Sequence, residues 1–264
     1  MCLTMLVDAP TYHAYCFRHY TRTHKNMVPD STNTPSMEGE SCSDCRFTEV
    51  CRPKGTATGF CLTRIARRAR TYQKGESLYR TGTRFIGIHA IKAGSMKLVH
   101  SDNRGREAII ALLLPGELAG FDGLFTGTYR CSLVALETSS TCEISANEFE
   151  TLGKTLPLLH RTLMQKTGEQ IERSIERLAT SKRPAEERVA TFLLDLSSRY
   201  SARGFSAEEF HLHLTRQEIG DHLGVTLETV CRILSRFEAN GLIDISGKFI
   251  KIKNAEALKK LTAV

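Results

Sequence analysis

The spacing of apolar side chains changes character twice along the chain. Residues 1 to about 40 have no period. Thr, His, Tyr, Ser, Asn and Pro mix irregularly, and Ser31-Thr32-Asn33-Thr34-Pro35-Ser36 reads as loop. From about Arg70 to Phe149, alternating runs such as Phe85-Ile86-Gly87-Ile88-His89-Ala90-Ile91 and Met96-Lys97-Leu98-Val99-His100 are cut by turn signals at Gly75, Gly82, Gly94, Gly105 and Gly116. Alternation sends successive side chains to opposite faces of a strand, so short runs broken at this spacing predict an antiparallel sandwich or barrel. After Leu156 the period becomes helical. Met164, Gly168, Ile171, Ile175 and Leu178 recur at alternating steps of four and three, a heptad seam flanked by Glu169, Glu172, Arg173, Glu176 and Arg177. Such a stripe either packs on its own domain or meets a second copy, and we read Met164, Ile171, Ile175 and Leu178 as a dimerisation face. Ser181-Lys182-Arg183-Pro184 ends this helix, with Pro184 expected as the first residue of the next, which runs through Val189, Phe192, Leu193 and Leu196.

The next pattern is local. Thr215-Arg216-Gln217-Glu218 is a capping box, with a Thr hydroxyl at the N-cap and a Glu three residues on to reach back. The short helix it opens ends at Gly224, and Thr226 caps a second helix, Leu227 to Phe237. Helix, glycine turn and helix predict a helix-turn-helix, and the strands expected around Ser246-Gly247 predict a wing. Val230, Ile233, Leu234 and Phe237 share the inward face. Glu228, Cys231 and Arg232 lie outward near the N-terminus, where a recognition helix meets base edges. Arg bonds guanine O6 and N7, and Glu accepts from cytosine N4, each good pair giving about 1–3 kcal/mol of discrimination.

Charge adds little to this. The net +7 invites a nucleic-acid partner, yet Lys plus Arg balance Asp plus Glu from Pro184 to the C-terminus. The local motif therefore carries the DNA reading. No apolar run approaches a membrane span, and the start is too short and too acidic for a secretory signal, so a cytoplasmic protein with reduced thiols is expected. Nine cysteines is an odd number, which argues against a closed disulfide framework. Three of them, Cys42, Cys45 and Cys51, stand in a polar stretch with the spacing Cys-x2-Cys-x5-Cys. Clustered thiols of this kind point to a shared metal that needs a fourth ligand. The residues alone leave Cys61, Cys131 and Cys142 open for that place, and leave zinc and iron–sulfur both open.

With these residues in view the chain resembles the CRP/FNR superfamily of bacterial transcription regulators. The resemblance runs from about Cys42 onward and shows in Pro115-Gly116-Glu117-Leu118, Ala185-Glu186-Glu187-Arg188, Arg203-Gly204-Phe205-Ser206, Thr215-Arg216-Gln217-Glu218-Ile219-Gly220 and Glu228-Thr229-Val230-Cys231-Arg232. The N-terminal cysteines and the segment Ala135 to Ile144 resemble the FNR branch, the oxygen-sensing regulators of anaerobic metabolism. That resemblance implies an oxygen-labile 4Fe-4S cluster on Cys42, Cys45, Cys51 and Cys142, with Cys2, Cys16, Cys61 and Cys131 matching no ligand position. It implies DNA contacts from Arg216, Glu228, Thr229, Cys231 and Arg232, where the family's Ser is Cys231 here. It also implies a homodimer on palindromic half-sites like TTGAT, RNA polymerase as a partner of the loop Phe121 to Gly127, and no catalytic residues.

The expected fold is α+β: a β-roll or jelly-roll sensory domain of the cyclic-nucleotide-binding kind, a long dimerisation helix and a C-terminal winged helix-turn-helix. The expected boundaries are 1–41 for a tail, 42–155, 156–183 and 184–264. Two alternatives on the same fold are a zinc-stabilised regulator and a cyclic-nucleotide-dependent one. The latter is disfavoured by Phe121 where that branch carries Glu and by Cys131 after Arg130. An iron–sulfur electron carrier or redox enzyme would leave the helix-turn-helix unexplained.

Overall fold

The computed structural model describes residues 67–155 and 157–262, so the 1–41 tail and Cys42, Cys45, Cys51 and Cys61 lie outside the described residues. Eight strands follow the alternating segments: β1 (Arg67–Tyr72), β2 (Ser77–Tyr79), β3 (Gly87–Ala93), β4 (Met96–Ser101), β5 (Glu107–Leu113), β6 (Leu118–Ala119), β7 (Ser132–Ala135) and β8 (Ser139–Ser145). They form two antiparallel four-stranded sheets, ordered β1-β8-β3-β6 and β2-β7-β4-β5. Tyr72, Tyr79, Ile91, Met96, Leu113, Tyr129 and Leu133 fill the space between the sheets. Tyr79 stacks on Tyr129 at 3.8 Å between ring centres, and the Tyr129 hydroxyl donates to the Gly87 carbonyl at 2.8 Å.

Helix α1 (Ala146–Thr155) leads into the long α2 (Pro157–Thr180), which has two distinct faces. Leu163 is fully buried, Gln170 donates to the Leu118 carbonyl at 2.7 Å and Arg177 donates to the Ile110 carbonyl, so this side grips the barrel. On the other side Ile171, Ile175 and Leu178 are 56%, 60% and 70% exposed, and Met164 is exposed with them. A helix in water does not hold an aliphatic stripe in solvent without cost, at about 25 cal/mol per Å² of apolar surface.

Helix α3 (Ala185–Ser201) begins one residue later than the sequence suggests. Pro184 takes an extended ψ of 144° and makes the corner between α2 and α3, leaving Ala185 to open the helix. The C-terminal unit then consists of β9 (Glu209–His211), α4 (Arg216–Leu223), α5 (Leu227–Ala239), β10 (Ile243–Ser246), β11 (Phe249–Ile252) and α6 (Ala255–Thr262), with the strands ordered β10-β11-β9. Its core is continuous with the barrel. Val99, Ile109, Leu112, Leu114 and Leu136 from the barrel pack with Phe192, Leu196, Leu212, Leu214, Ile219 and Phe237. None of the helices among the described residues is long and apolar enough to cross a membrane.

Candidate nucleic-acid interface and sensory strand

Local chemistry builds the helix-turn-helix. The Thr215 hydroxyl accepts from the Glu218 amide at 3.2 Å, and the Glu218 carboxylate accepts from the Thr215 amide at 2.7 Å, which closes the capping box. Gly224 ends α4 with a φ of 67°, a left-handed conformation that favours glycine. Gly220 is required for a different reason: a Cβ there would lie 2.6 Å from the Val225 carbonyl oxygen, so only hydrogen lets α4 approach the turn. Arg188 of α3 donates to the Leu223 and Gly224 carbonyls at 2.7 and 3.2 Å, satisfying the C-terminal end of α4.

The recognition helix α5 is capped by Thr226, whose hydroxyl accepts from the Thr229 amide at 3.3 Å. Val230, Ile233, Leu234 and Phe237 are buried, and Glu228, Cys231 and Arg232 are exposed on the opposite face. Bonds from its own amide and from Thr226 hold the Glu228 carboxyl below its ordinary range, so it is ionised and able to accept a hydrogen bond. Two of the expected contacts are less available. Thr229 is half-buried, and its hydroxyl sits 3.1 Å from that of Thr226. Arg216 is also half-buried, and burial lowers its pKa while Cys231 and Glu238 pull it back up.

The head also meets the barrel through charged groups. Lys97 of β4 lies 2.6 Å from Glu218. Burial would raise the Glu218 pKa, but the bonds from Lys97 and Thr215 outweigh it and hold the carboxyl below its usual range. His222 Nδ1 is 3.0 Å from the Ile109 carbonyl, and burial pushes the ring down to about 4, so it is neutral and donates. Sequence reasoning missed the centre of this contact. Glu117, 3% exposed, faces Arg173 at 3.3 Å, Arg199 at 2.6 Å and Arg203 at 2.8 Å, and accepts from the Leu114 amide at 3.0 Å. Burial works to raise its pKa, and the three guanidinium groups more than reverse that. The signal was present in Pro115-Gly116-Glu117 and Arg203-Gly204, two motifs with nothing in the sequence to connect them.

On the sensory side, Cys142 lies on β8 in register with Ala90 of β3. Its neighbour Thr141 is 2% exposed and pairs with Ile91 of the barrel core. Alternation therefore turns Cys142 to the outer face, where it is half-buried. Cys131 is buried, and burial together with Asp122 pushes its thiol up to about 11. A cysteine in that setting is a poor thiolate. Phe121 opens a short 3-10 turn to Gly123, and Asp122 Oδ2 accepts from the Arg130 and Cys131 amides at 2.8 and 2.9 Å.

Barrel, long helix and winged head together define a DNA-binding transcription regulator, and comparison with known proteins agrees. Residues 69–155 match the cyclic nucleotide-binding domain family and residues 187–261 the Crp-like helix-turn-helix domain family. The chain is 41% identical to the transcriptional activator protein Anr of Pseudomonas aeruginosa over 214 residues, 80% of this chain and 88% of that protein. It is 36% identical to the fumarate and nitrate reduction regulatory protein of Escherichia coli over 223 residues, 83% of this chain and 89% of that one. Among solved structures, FixK2 from Bradyrhizobium japonicum superposes with a TM-score of 0.68 at 28% identity, over 76% of this chain and 98% of FixK2. The chain belongs to the FNR branch of the CRP/FNR superfamily of transcription regulators.

Proposed function

We propose that this chain is an oxygen-responsive cytoplasmic regulator that binds palindromic DNA as a homodimer when it carries a 4Fe-4S cluster. The observation that carries the reading is the placement of Cys142. It is half-buried on the outer face of the sheet, whereas Cys131 is buried and holds its proton. Four thiolates suit an iron–sulfur donor set, and Cys42, Cys45, Cys51 and Cys142 would hold the cluster. When bound, the group supplies an oxygen-labile iron–sulfur centre.

The rest of the work falls to this chain's own side chains. Met164, Ile171, Ile175 and Leu178 present the apolar face of α2 to a second copy. Glu172, exposed beside that face, brings like charges together across the pair and disfavours dimers in the absence of the cluster. Pairing places two α5 helices about one DNA turn apart, with Arg232 and Glu228 at base edges and Arg216 toward the backbone. The loop Phe121 to Gly127 exposes Phe125 (83%) and Leu124 (41%) and is the surface assigned to RNA polymerase.

Protein purified under nitrogen is expected to be straw-brown, to contain iron and to bleach in air with loss of dimer and DNA affinity. Cys142→Ala should remove both the iron and the anaerobic DNA binding. Colourless protein containing zinc, or a loaded protein equally dimeric in air and under nitrogen, would sink the proposal. DNA binding that requires an added cyclic nucleotide would favour the other branch of the superfamily.

A further inference from the structure

We infer that Glu117 sets the half-site spacing this regulator reads, by clamping the end of α3 and the middle of α2 to one turn of the barrel. The inference rests on the dimer-on-palindrome reading above. Both carboxylate oxygens of Glu117 are occupied. Oε1 accepts from Arg199 Nε at 3.1 Å and Arg203 at 2.8 Å and forms an ion pair with Arg173 at 3.3 Å, and Oε2 accepts from Arg199 Nη2 at 2.6 Å and the Leu114 amide at 3.0 Å. These partners come from the dimerisation helix, the base of the reading head and the barrel itself. Arg199 of α3 and Arg203, just past its end, are each further committed. Arg199 also donates to the Leu112 carbonyl at 2.5 Å and to Asp195 at 3.0 Å, and Arg203 donates to the Pro115 carbonyl.

The clamp lies where leverage is greatest. Between α2 and α3 the chain is continued only by Ser181, Lys182 and Arg183 and turned by Pro184, so α3 is pinned at its start by the covalent corner and at its end by Glu117. With 17 residues α3 is roughly 25 Å long at 1.5 Å per residue. A tilt of roughly 10° about the corner would carry its far end roughly 4 Å, close to the 3.4 Å separating successive base pairs. The shared apolar core also holds head to barrel, but burial of apolar surface is non-directional and tolerates small rotations. Charge-assisted hydrogen bonds from guanidinium to carboxylate are directional and select one angle. A second copy related by symmetry doubles the displacement, so slack at Glu117 would be felt as uncertainty in the distance between the two recognition helices.

The test is anaerobic binding of the full-length, iron-loaded protein to duplexes carrying two TTGAT-type half-sites, with the spacer at its best length and lengthened or shortened by one or two base pairs. The unaltered protein should lose roughly tenfold or more in affinity at a wrong spacer, a penalty comparable to a base mismatch. Glu117→Gln should flatten that profile to within about threefold, while sedimentation still reports a dimer and affinity for a single half-site is unchanged. Arg173→Gln removes a partly exposed arm of the clamp that the barrel core does not need, and should flatten the profile in part. It keeps the test decisive if Glu117→Gln fails to fold. Variants that fold, dimerise and keep the full spacing profile would overturn the inference alone. An unaltered protein indifferent to spacing would overturn the palindrome reading and the inference with it.

Discussion

Cys142 and Cys231 each stand on a regular element with a buried face behind them, yet their surroundings differ in kind. Around Cys231, on α5, everything that gives the position meaning lies within a few residues. Thr226 caps the helix, Phe237 and Val230 bury its back, and Glu228 and Arg232 share its exposed face. Around Cys142, on β8, the pairing partner is remote: Ala90, 52 residues earlier in the chain, lies opposite it on β3, and the adjacent Thr141 turns to the other side. The exposed face of the recognition helix is shaped by local sequence, whereas the setting of Cys142 is made by strand pairing between distant segments. A site of the first kind should lose binding and fold separately when altered. A site of the second kind should lose regulation while its own domain stays intact.

That contrast is sharpest in the core of the head. Phe237 is fully buried behind the recognition helix, so Phe237→Ala should cost about 3–5 kcal/mol in urea or thermal unfolding and abolish DNA binding through loss of the fold.

A somewhat smaller effect is expected at the border of the two regions. The His222 ring titrates at about 4 when folded, below its ordinary 6.5, so the unfolded chain takes up a proton first as pH falls. Its contribution is fully present above pH 6.5, declines as pH drops toward 4 and is constant below that, a loss of about 3 kcal/mol overall. Denaturant titrations between pH 7 and 4 should show this slope, and His222→Gln should flatten it; an unchanged slope would mean that burial does not hold this ring neutral.

The smallest change should follow at the exposed face. Arg232→Ala should lower specific DNA affinity by about 1–3 kcal/mol and relax preference at one base position, with the melting temperature unmoved. If it lowered the melting temperature as Phe237→Ala does, the separation of fold from reading in the head would fail.

The same contrast explains what could be read in advance. The capping box, the glycine turn, the buried stripe of α5 and the outward seam of α2 are set by residues three to eight positions apart, and their patterns survive in one dimension. The Glu117 cluster does not. Glu117 and Arg203 are 86 residues apart, and nothing local to either marks the other as its partner. Glu218 looked like a cap and is one, but its second bond, to Lys97, depends on how the head sits on the barrel. Pro184 matched a helix start by composition, while the sharp corner after α2 required it one position earlier, outside the helix. Balanced charge across the head was also a poor guide, because part of it is spent in pairs within the head, as in Arg236 with Glu186 at 3.0 Å and Lys251 with Glu209 at 2.6 Å, while Arg232 stays exposed on the reading face.

Strand β3 carries one more consequence. On one edge its Ala90 pairs with Cys142, and on the other the Ile91 amide donates to the Glu117 carbonyl while the Gly116 amide donates back to Ile91, both at 2.9 Å. Backbone ladders are stiff along their rungs, since a hydrogen bond stretched well past 3.2 Å is largely lost. A pull of an ångström on the Cys142 backbone would therefore have to break rungs or be handed on to the turn at Glu117. Strand β3 thus ties the backbone at Cys142 to the turn that carries Glu117 through consecutive residues, Ala90 and Ile91.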